Sequence, residues 1–316
     1  MIPRALLDAV AAPLLGRCTF PGDGRLLWCA VSGGADSTAL LALAVAAGCA
    51  AGAFHVDHGL RQGSAAEGVL VARNAQRLGA RYAGSRVQIA PGPNLEERAR
   101  KARLAALPPG AATGHTADDQ AETVILNMLR GAGTSGLAGM RSGPRHPILA
   151  LRREETLEVC RRLGLPIVDD PTNAEPTQRR NRVRHELLPL CTAIAERDVA
   201  AVLARQARLF ADDADLLDAL AAQIDPTSTA QLSAAPPPLA RRAVRQWLQA
   251  GGPHPPSAAE VERVLSVART EILATEVAGG RRVVRRSGHL SLVGALRLES
   301  GAGDRARARH TTVTHP

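Results

Sequence analysis

The 316-residue sequence is poor in aromatics, at 2%, so its interior must be packed with Leu, Val, Ile and Ala from the 45% of residues that are hydrophobic. Lysine is almost absent. Lys101 is the only one, and arginine supplies the other 38 of 39 basic residues (39 less Lys101). That skew reflects overall composition more than selection for a guanidinium at each site. The five cysteines, Cys18, Cys29, Cys49, Cys160 and Cys191, are scattered and odd in number, with no C-x-x-C pair. This argues against a disulfide framework, a zinc site or an iron–sulfur cluster. Cys29 and Cys49 lie in apolar runs and read as buried thiols. The chain shows no charged start followed by an apolar stretch and a cleavage site. The apolar run 39–47 is too short to span a bilayer. A cytoplasmic protein without membrane contact is expected. No Walker A string occurs, and no internal repeat.

What is present begins with size and charge. The length exceeds one comfortable core, so two domains are expected. The net charge of +9 and a pI of about 10.6 permit a polyanionic partner without proving one. Short apolar runs at 26–31, 50–55, 81–89 and 111–114 alternate with helical patterns at 38–47, 65–78, 94–107 and up to 129. That alternation predicts an α/β domain with a parallel sheet. From about 186 the pattern turns helical. Ser257 and Glu260 form a capping-box pattern that opens a helix to about 268. Segments 271–277 and 282–293 read as a small β-hairpin through Gly279-Gly280. The tail 299–316 is short of large apolar residues and is expected to be disordered.

Three polar clusters each fall just after a predicted strand, where parallel sheets place ligands. The first is Ser32-Gly33-Gly34-Ala35-Asp36-Ser37. Its glycines let the backbone approach an anion, and the following helix offers free N–H groups. Asp36 would repel phosphate, so it suits Mg²⁺ bound to phosphates. The second is His55-Val56-Asp57-His58-Gly59-Leu60-Arg61, which reads as a nucleotide contact, a polar loop or a metal site without cysteines. The third runs from Thr113 to Thr123 and contains Gly114, His115, Asp118, Asp119 and Glu122. Thr116 and Asp119 fit a variant capping box, while helical spacing puts Asp118 and Glu122 on one face. Acidic groups at the mouth of an apolar helix can orient Mg²⁺ or take a proton from an amine. Two further segments are basic. The helix at 94–103 has i,i+4 pairs typical of a solvated face. Arginines 179, 180, 182 and 184 either grip phosphates or mark an exposed helix end. The G-x-G-x-x-G string at 131–136 follows a helix rather than a strand, so it is no dinucleotide fingerprint.

The loop at 32–37 resembles the PP-loop of the ATP-pyrophosphatase superfamily, which attacks the α-phosphate of ATP. Segments 32–37, 55–61, 94–103, 113–140 and 169–189 together resemble the tRNA(Ile)-lysidine synthetase family. GHTADDQAETVILNMLRGAGTSGLAGM (114–140) is the most specific element. The resemblance implies an adenine nucleotide alpha hydrolase-like PP-loop domain over 1–189 and a smaller, mainly helical substrate-binding domain over 190–298. It implies a ligase that joins L-lysine to C2 of the wobble cytidine in a CAU-anticodon isoleucine tRNA. An adenylated cytidine is the intermediate, and AMP and pyrophosphate are released. By the same resemblance, Ser32, Gly33, Gly34, Ala35, Asp36, Ser37, His55, Val56 and Gly114 contact ATP. Asp36, Asp118, Asp119 and His115 serve the chemistry, with Mg²⁺ on Asp36 and Asp118. Asp57, His58, Arg61, Arg98, Arg103, Glu122, Arg179, Arg182 and Arg184 hold lysine or tRNA. A homodimer is compatible with it. The sequence departs where the family usually has Arg-Pro-Leu-Leu, since His146-Pro147-Ile148-Leu149 stands there with Arg145 one place early. A cytidine thiolase is the nearest rival, but it would want paired cysteines; a non-catalytic RNA-binding relative is another.

Overall fold

A strand as apolar as Leu26–Ala30 (β1) needs cover on both faces. The structure, a computed structural model, describes residues 1–22, 24–57, 64–87, 95–168, 179–250 and 255–294. Helix Arg4–Leu15 (α1) precedes β1. There follow Ala35–Ala46 (α2), Ala50–Asp57 (β2), Ser64–Leu78 (α3), Arg81–Arg86 (β3), Leu95–Ala106 (α4), Ala112–Thr113 (β4) and Ala117–Leu129 (α5). All four expected strands form, and they pair in parallel in the order β3-β2-β1-β4. The direction of winding reverses between β1 and β4. That is the switch point at which open α/β sheets bind ligands. The core lies between the sheet and α2, whose Leu40, Leu41 and Leu43 are fully buried with Cys29, Val71 and Ala75.

Beyond α5, the short helix Thr134–Leu137 (α6) leads to Arg153–Arg162 (α7), a helix that the sequence pattern did not predict. It packs on α2 through Val159 and Cys160. Next come Arg179–Arg182 (α8), a π-helical turn at Val183–Leu187, Leu188–Ala195 (α9) and Val199–Ala221 (α10). The chain divides into two compact units, Met1–Ala214 and Asp215–Pro316. The division between these units lies inside α10. Ala121 and Ile125 of α5 share a buried cluster with Val183, Leu188 and Ala200, which keeps α9 and the start of α10 in the first unit.

The second unit contains Thr229–Ala234 (α11), Pro237–Ala250 (α12), Ala258–Ala268 (α13), Ala274–Val277 (β5), Arg281–Arg286 (β6) and His289–Val293 (β7). The capping box expected for α13 is present: Ser257 N–H donates to Glu260 Oε2 at 2.8 Å, and Glu260 N–H to Ser257 Oγ at 3.2 Å. The expected hairpin forms as β5-β6, and a third antiparallel strand extends it to the sheet β5-β6-β7. Gly279 and Gly280 make the first turn with φ of 80° and 66°. Ser287 and Gly288 make a second, with φ of 48° and 79°. The second is a two-residue loop between the paired Arg286 and His289, which requires both positive φ values, whereas the first spans three residues, Ala278 to Gly280, between the paired Val277 and Arg281. The tail expected at 299–316 lies outside the described residues. Among those described, no helix is long and apolar enough to cross a membrane.

Candidate active site

The loop after β1 is built to present N–H groups. Gly33 takes φ +96°, and its carbonyl is turned away to accept Val168 N–H at 2.9 Å. Ser37 Oγ donates to Gly34 O at 3.0 Å and lies 3.2 Å from Ser32 Oγ, which closes the loop onto the first turn of α2. A helix starting at Ala35 leaves its first N–H groups without intrahelical acceptors. Space beyond Gly34 is open, with no atom nearer than 3.8 Å to a Cβ placed there. At Gly114, after β4, an added Cβ would lie 2.8 Å from Asp36 O. The two loops therefore meet backbone to backbone at the switch point and form a cradle there.

The carboxylates beside this cradle are all engaged. Asp119 caps α5 by accepting Thr116 N–H at 2.9 Å, which is the expected box. Its other oxygen accepts Arg153 Nη2 at 3.2 Å. Glu122 is fully buried and meets three guanidinium groups: Arg180 Nε at 2.7 Å, Arg184 Nε at 2.7 Å and Arg153 Nη2 at 3.5 Å. Arg153 also reaches Asp36 Oδ2 at 3.5 Å, and the Thr156 hydroxyl donates to Asp36 Oδ1. Three carboxylates thus converge on one guanidinium at the edge of the nucleotide loop. Burial raises the pKa of Asp36 above the ordinary value despite Thr156 and Arg153. Burial acts in the same direction on Asp119, but the Arg153 charge, the Thr116 N–H and Arg180 outweigh it and the pKa is lowered.

Asp118 faces elsewhere. It accepts Arg152 Nε at 3.1 Å, Arg152 Nη2 at 2.9 Å and Arg153 N–H at 2.8 Å. These bonds more than offset burial and hold its pKa below the ordinary value. Arg152 continues to Asp198, ahead of α10. Asp118 and Glu122, which share a face of the helix, therefore meet different guanidinium groups. The end of α5 also differs from expectation. Met128 and Leu129 are exposed, so the helix is not apolar to its end in a buried setting.

Other expected residues are placed as follows. His55 is buried at the end of β2, its Nδ1 2.8 Å from Val31 O, where it braces the strand end that leads into the loop; Val56 is buried beside it. Asp57 pairs with Arg86 at 3.6 Å. His58 and Arg61 lie outside the described residues. Arg98 is half-buried and Arg103 exposed on α4. Of the arginine run, Arg184 turns inward, whereas Arg182 is exposed and pairs with Glu186, and Arg179 is exposed beside it. The sequence reading missed Arg152, Arg153 and Thr156, and had Arg180 only as a phosphate-gripping or exposed arginine, whereas it turns to Glu122. A usable signal existed for the first three. Glu154 and Glu155 open α7, Arg161 and Arg162 close it, and Thr156, Val159, Cys160 and Leu163 repeat at helical spacing.

A family model for the PP-loop domain matches residues 14–191, over half of the chain, and one for the TilS substrate binding domain matches 228–290. The tRNA(Ile)-lysidine synthase of Nocardia farcinica is 41% identical over 253 residues, which cover 75% of this chain and 80% of that protein. The chain belongs to the tRNA(Ile)-lysidine synthase family. The enzyme of that name from Streptomyces coelicolor is 40% identical over 72% of this chain and 73% of its own length. Membership in the lysidine synthase family makes the first unit an ATP-using PP-loop domain of a ligase. A solved structure of the U34-tRNA thiolase NcsA from Methanococcus maripaludis is also similar, at 17% identity and a TM-score of 0.46, over 65% of this chain and 78% of that one. At those values it carries no argument about this chain.

Proposed function

We propose that this chain ligates L-lysine to C2 of the wobble cytidine (position 34) of the CAU-anticodon isoleucine tRNA, in the cytoplasm. In the first step the cytosine C2 oxygen attacks the α-phosphorus of ATP and pyrophosphate leaves. In the second, the amine of lysine attacks C2, loses a proton, and AMP leaves with the former C2 oxygen. The product pairs with A, so the tRNA reads AUA instead of AUG.

The observation that carries this reading is the set of three carboxylates converging on the Arg153 guanidinium beside the nucleotide cradle. Such a set is complementary to a cation, and an amine nucleophile arrives as one. Asp119 and Glu122 are assigned to the lysine amine, with Arg153 giving way as it binds. Ser32, Gly34, Ala35 and Ser37 hold the phosphates, and His115 and Gly114 flank the adenylate. Asp36 would hold Mg²⁺ together with the ATP phosphates, where the ion would neutralise charge on the departing pyrophosphate. Asp118 is reassigned: its oxygens already receive three donors, so it suits an anchor for Arg152 better than a metal ligand. Among the described residues no group of three or more His, Cys, Asp or Glu side chains is placed to hold a metal by itself, which fits a metal that arrives with ATP. Exposed Arg282, Arg285 and Arg286 on β6 offer contacts to tRNA phosphate. A homodimer is compatible with all of this, and sedimentation of the chain tests it.

Sulfur transfer is disfavoured by the cysteines. Cys160 donates to Ala35 O beneath the loop, but burial pushes its thiol up to about 12, and that of Cys29 likewise. Neither offers a thiolate at neutral pH. The two steps separate the assigned roles. Asp36→Asn should lose tRNA-dependent pyrophosphate release. Asp119→Asn should keep pyrophosphate release and lose lysine-dependent AMP release. Full activity in either variant refutes its assignment.

A further inference from the structure

Thr113 ends β4, one residue before Gly114, and two imidazoles share its hydroxyl. Thr113 Oγ1 lies 2.7 Å from His115 Nδ1 and 2.8 Å from His146 Nδ1. The two Nδ1 atoms are 3.3 Å apart, and the rings meet edge to face at 72°. The backbone fixes this contact. His146 N–H donates to Gly143 O at 2.9 Å, making a tight turn, and Thr113 N–H donates to Arg145 O at 2.8 Å, tying that turn to the sheet edge.

Proton counting limits what the cluster can do. The Thr113 hydroxyl has one proton and three neighbours that could accept it: the two Nδ1 atoms and Arg145 O, 3.1 Å away. For both imidazole contacts to be hydrogen bonds, at least one Nδ1 must carry its own proton. Protons on both would set two N–H groups against each other across 3.3 Å. The relaxed arrangement has one Nδ1 protonated and the other bare, so the rings take opposite tautomers. Burial, with Arg145 alongside, lowers the pKa of His146, which suits it as the neutral member. Charged groups facing the pair include Arg145 on the His146 side and Asp119 on the His115 side.

We propose that His146 is a positioning residue that sets the tautomer of His115 through the Thr113 hydroxyl, and so decides whether His115 offers a lone pair or a proton to the adenylated base. The catalytic half of this statement rests on the reading of His115 given above; the hydrogen-bond half does not. The test uses the full chain labelled with ¹⁵N-histidine, and compares wild type with His146→Ala, His146→Asn and Thr113→Val. Long-range ¹H–¹⁵N correlation spectra report each tautomer, and lysine-dependent AMP release is followed against pH beside tRNA-dependent pyrophosphate release. In wild type the two histidines should show opposite tautomers. In His146→Ala and Thr113→Val, the His115 nitrogen shifts should move toward a tautomer mixture and the kcat–pH profile should be displaced, with KM for ATP within twofold of wild type. His146→Asn, whose amide can reach Thr113 as Nδ1 does, should restore the wild-type profile. Unchanged His115 shifts in both disruptive variants overturn the proposal whatever the activity. An intact spectroscopic response in a protein that releases no pyrophosphate counts against the functional reading instead.

Discussion

Asp118 and Glu122 stand four residues apart on α5, yet they answer to different guanidinium groups. Asp118 locks Arg152, which spans the starts of α5 and α7 and reaches Asp198. Glu122, itself fully buried, gathers the partly exposed Arg153, Arg180 and Arg184. The Asp118 pair makes a prediction with a definite sign. Its carboxyl is held below the ordinary value, so its contribution is complete above the unfolded pKa near 4 and is lost as the pH falls through the folded value. Asp118→Asn should therefore lower stability at pH 7 by about 2–4 kcal/mol, the scale for breaking a largely buried pair. The deficit against wild type should shrink on acidification below about pH 4. Urea unfolding midpoints at both pH values check this, and a deficit that does not change with pH contradicts it.

At the scale of elements, the loop after β1 is held through the segment 163–168. Asn74 Nδ2 on α3 donates to Pro166 O at 2.8 Å, and the Arg77 guanidinium donates to Gly164 O at 2.6 Å and Leu163 O at 3.2 Å. Two residues on, Val168 N–H takes the Gly33 carbonyl. Helix α3 thus sets the Gly33 peptide through this strap. Asn74→Ala should raise KM for ATP by about fivefold, the equivalent of about 1 kcal/mol for one hydrogen bond, with kcat nearly unchanged. Initial rates of pyrophosphate release over a range of ATP concentrations decide it; an unchanged KM removes the strap from the account. The strand–loop–helix unit was legible in the sequence because its signals are local: an apolar run, two glycines, then a helix start. Helix α7 carried a weaker signal, because its charged ends and helical spacing lie in a run of Arg and Glu that resembles a solvated face and only Thr156, Val159 and Cys160 are buried. What the sequence hid is where Arg153 points. Its partners Asp36, Asp119 and Glu122 lie 117, 34 and 31 residues away, and no periodicity links them. The division of the arginine run was also hidden. Arg180 and Arg184, four apart, turn toward Glu122 while Arg179 and Arg182 stay exposed, and charge alone does not tell them apart.

For the whole molecule, the account joins a PP-loop unit, whose loops meet at the β1/β4 switch point, to a unit of the TilS substrate binding type. The net charge of +9 suits a polyanionic partner, and the exposed arginines of β6 give that charge a place in the second unit. The central claim is the ligation itself. The full chain is incubated with ATP, Mg²⁺, labelled lysine and a CAU-anticodon isoleucine tRNA, and the nucleosides are read by mass spectrometry. The account predicts labelled lysine attached to one cytidine, with one AMP and one pyrophosphate released for each. A cytidine that gains sulfur, or a tRNA that returns unmodified, would contradict it.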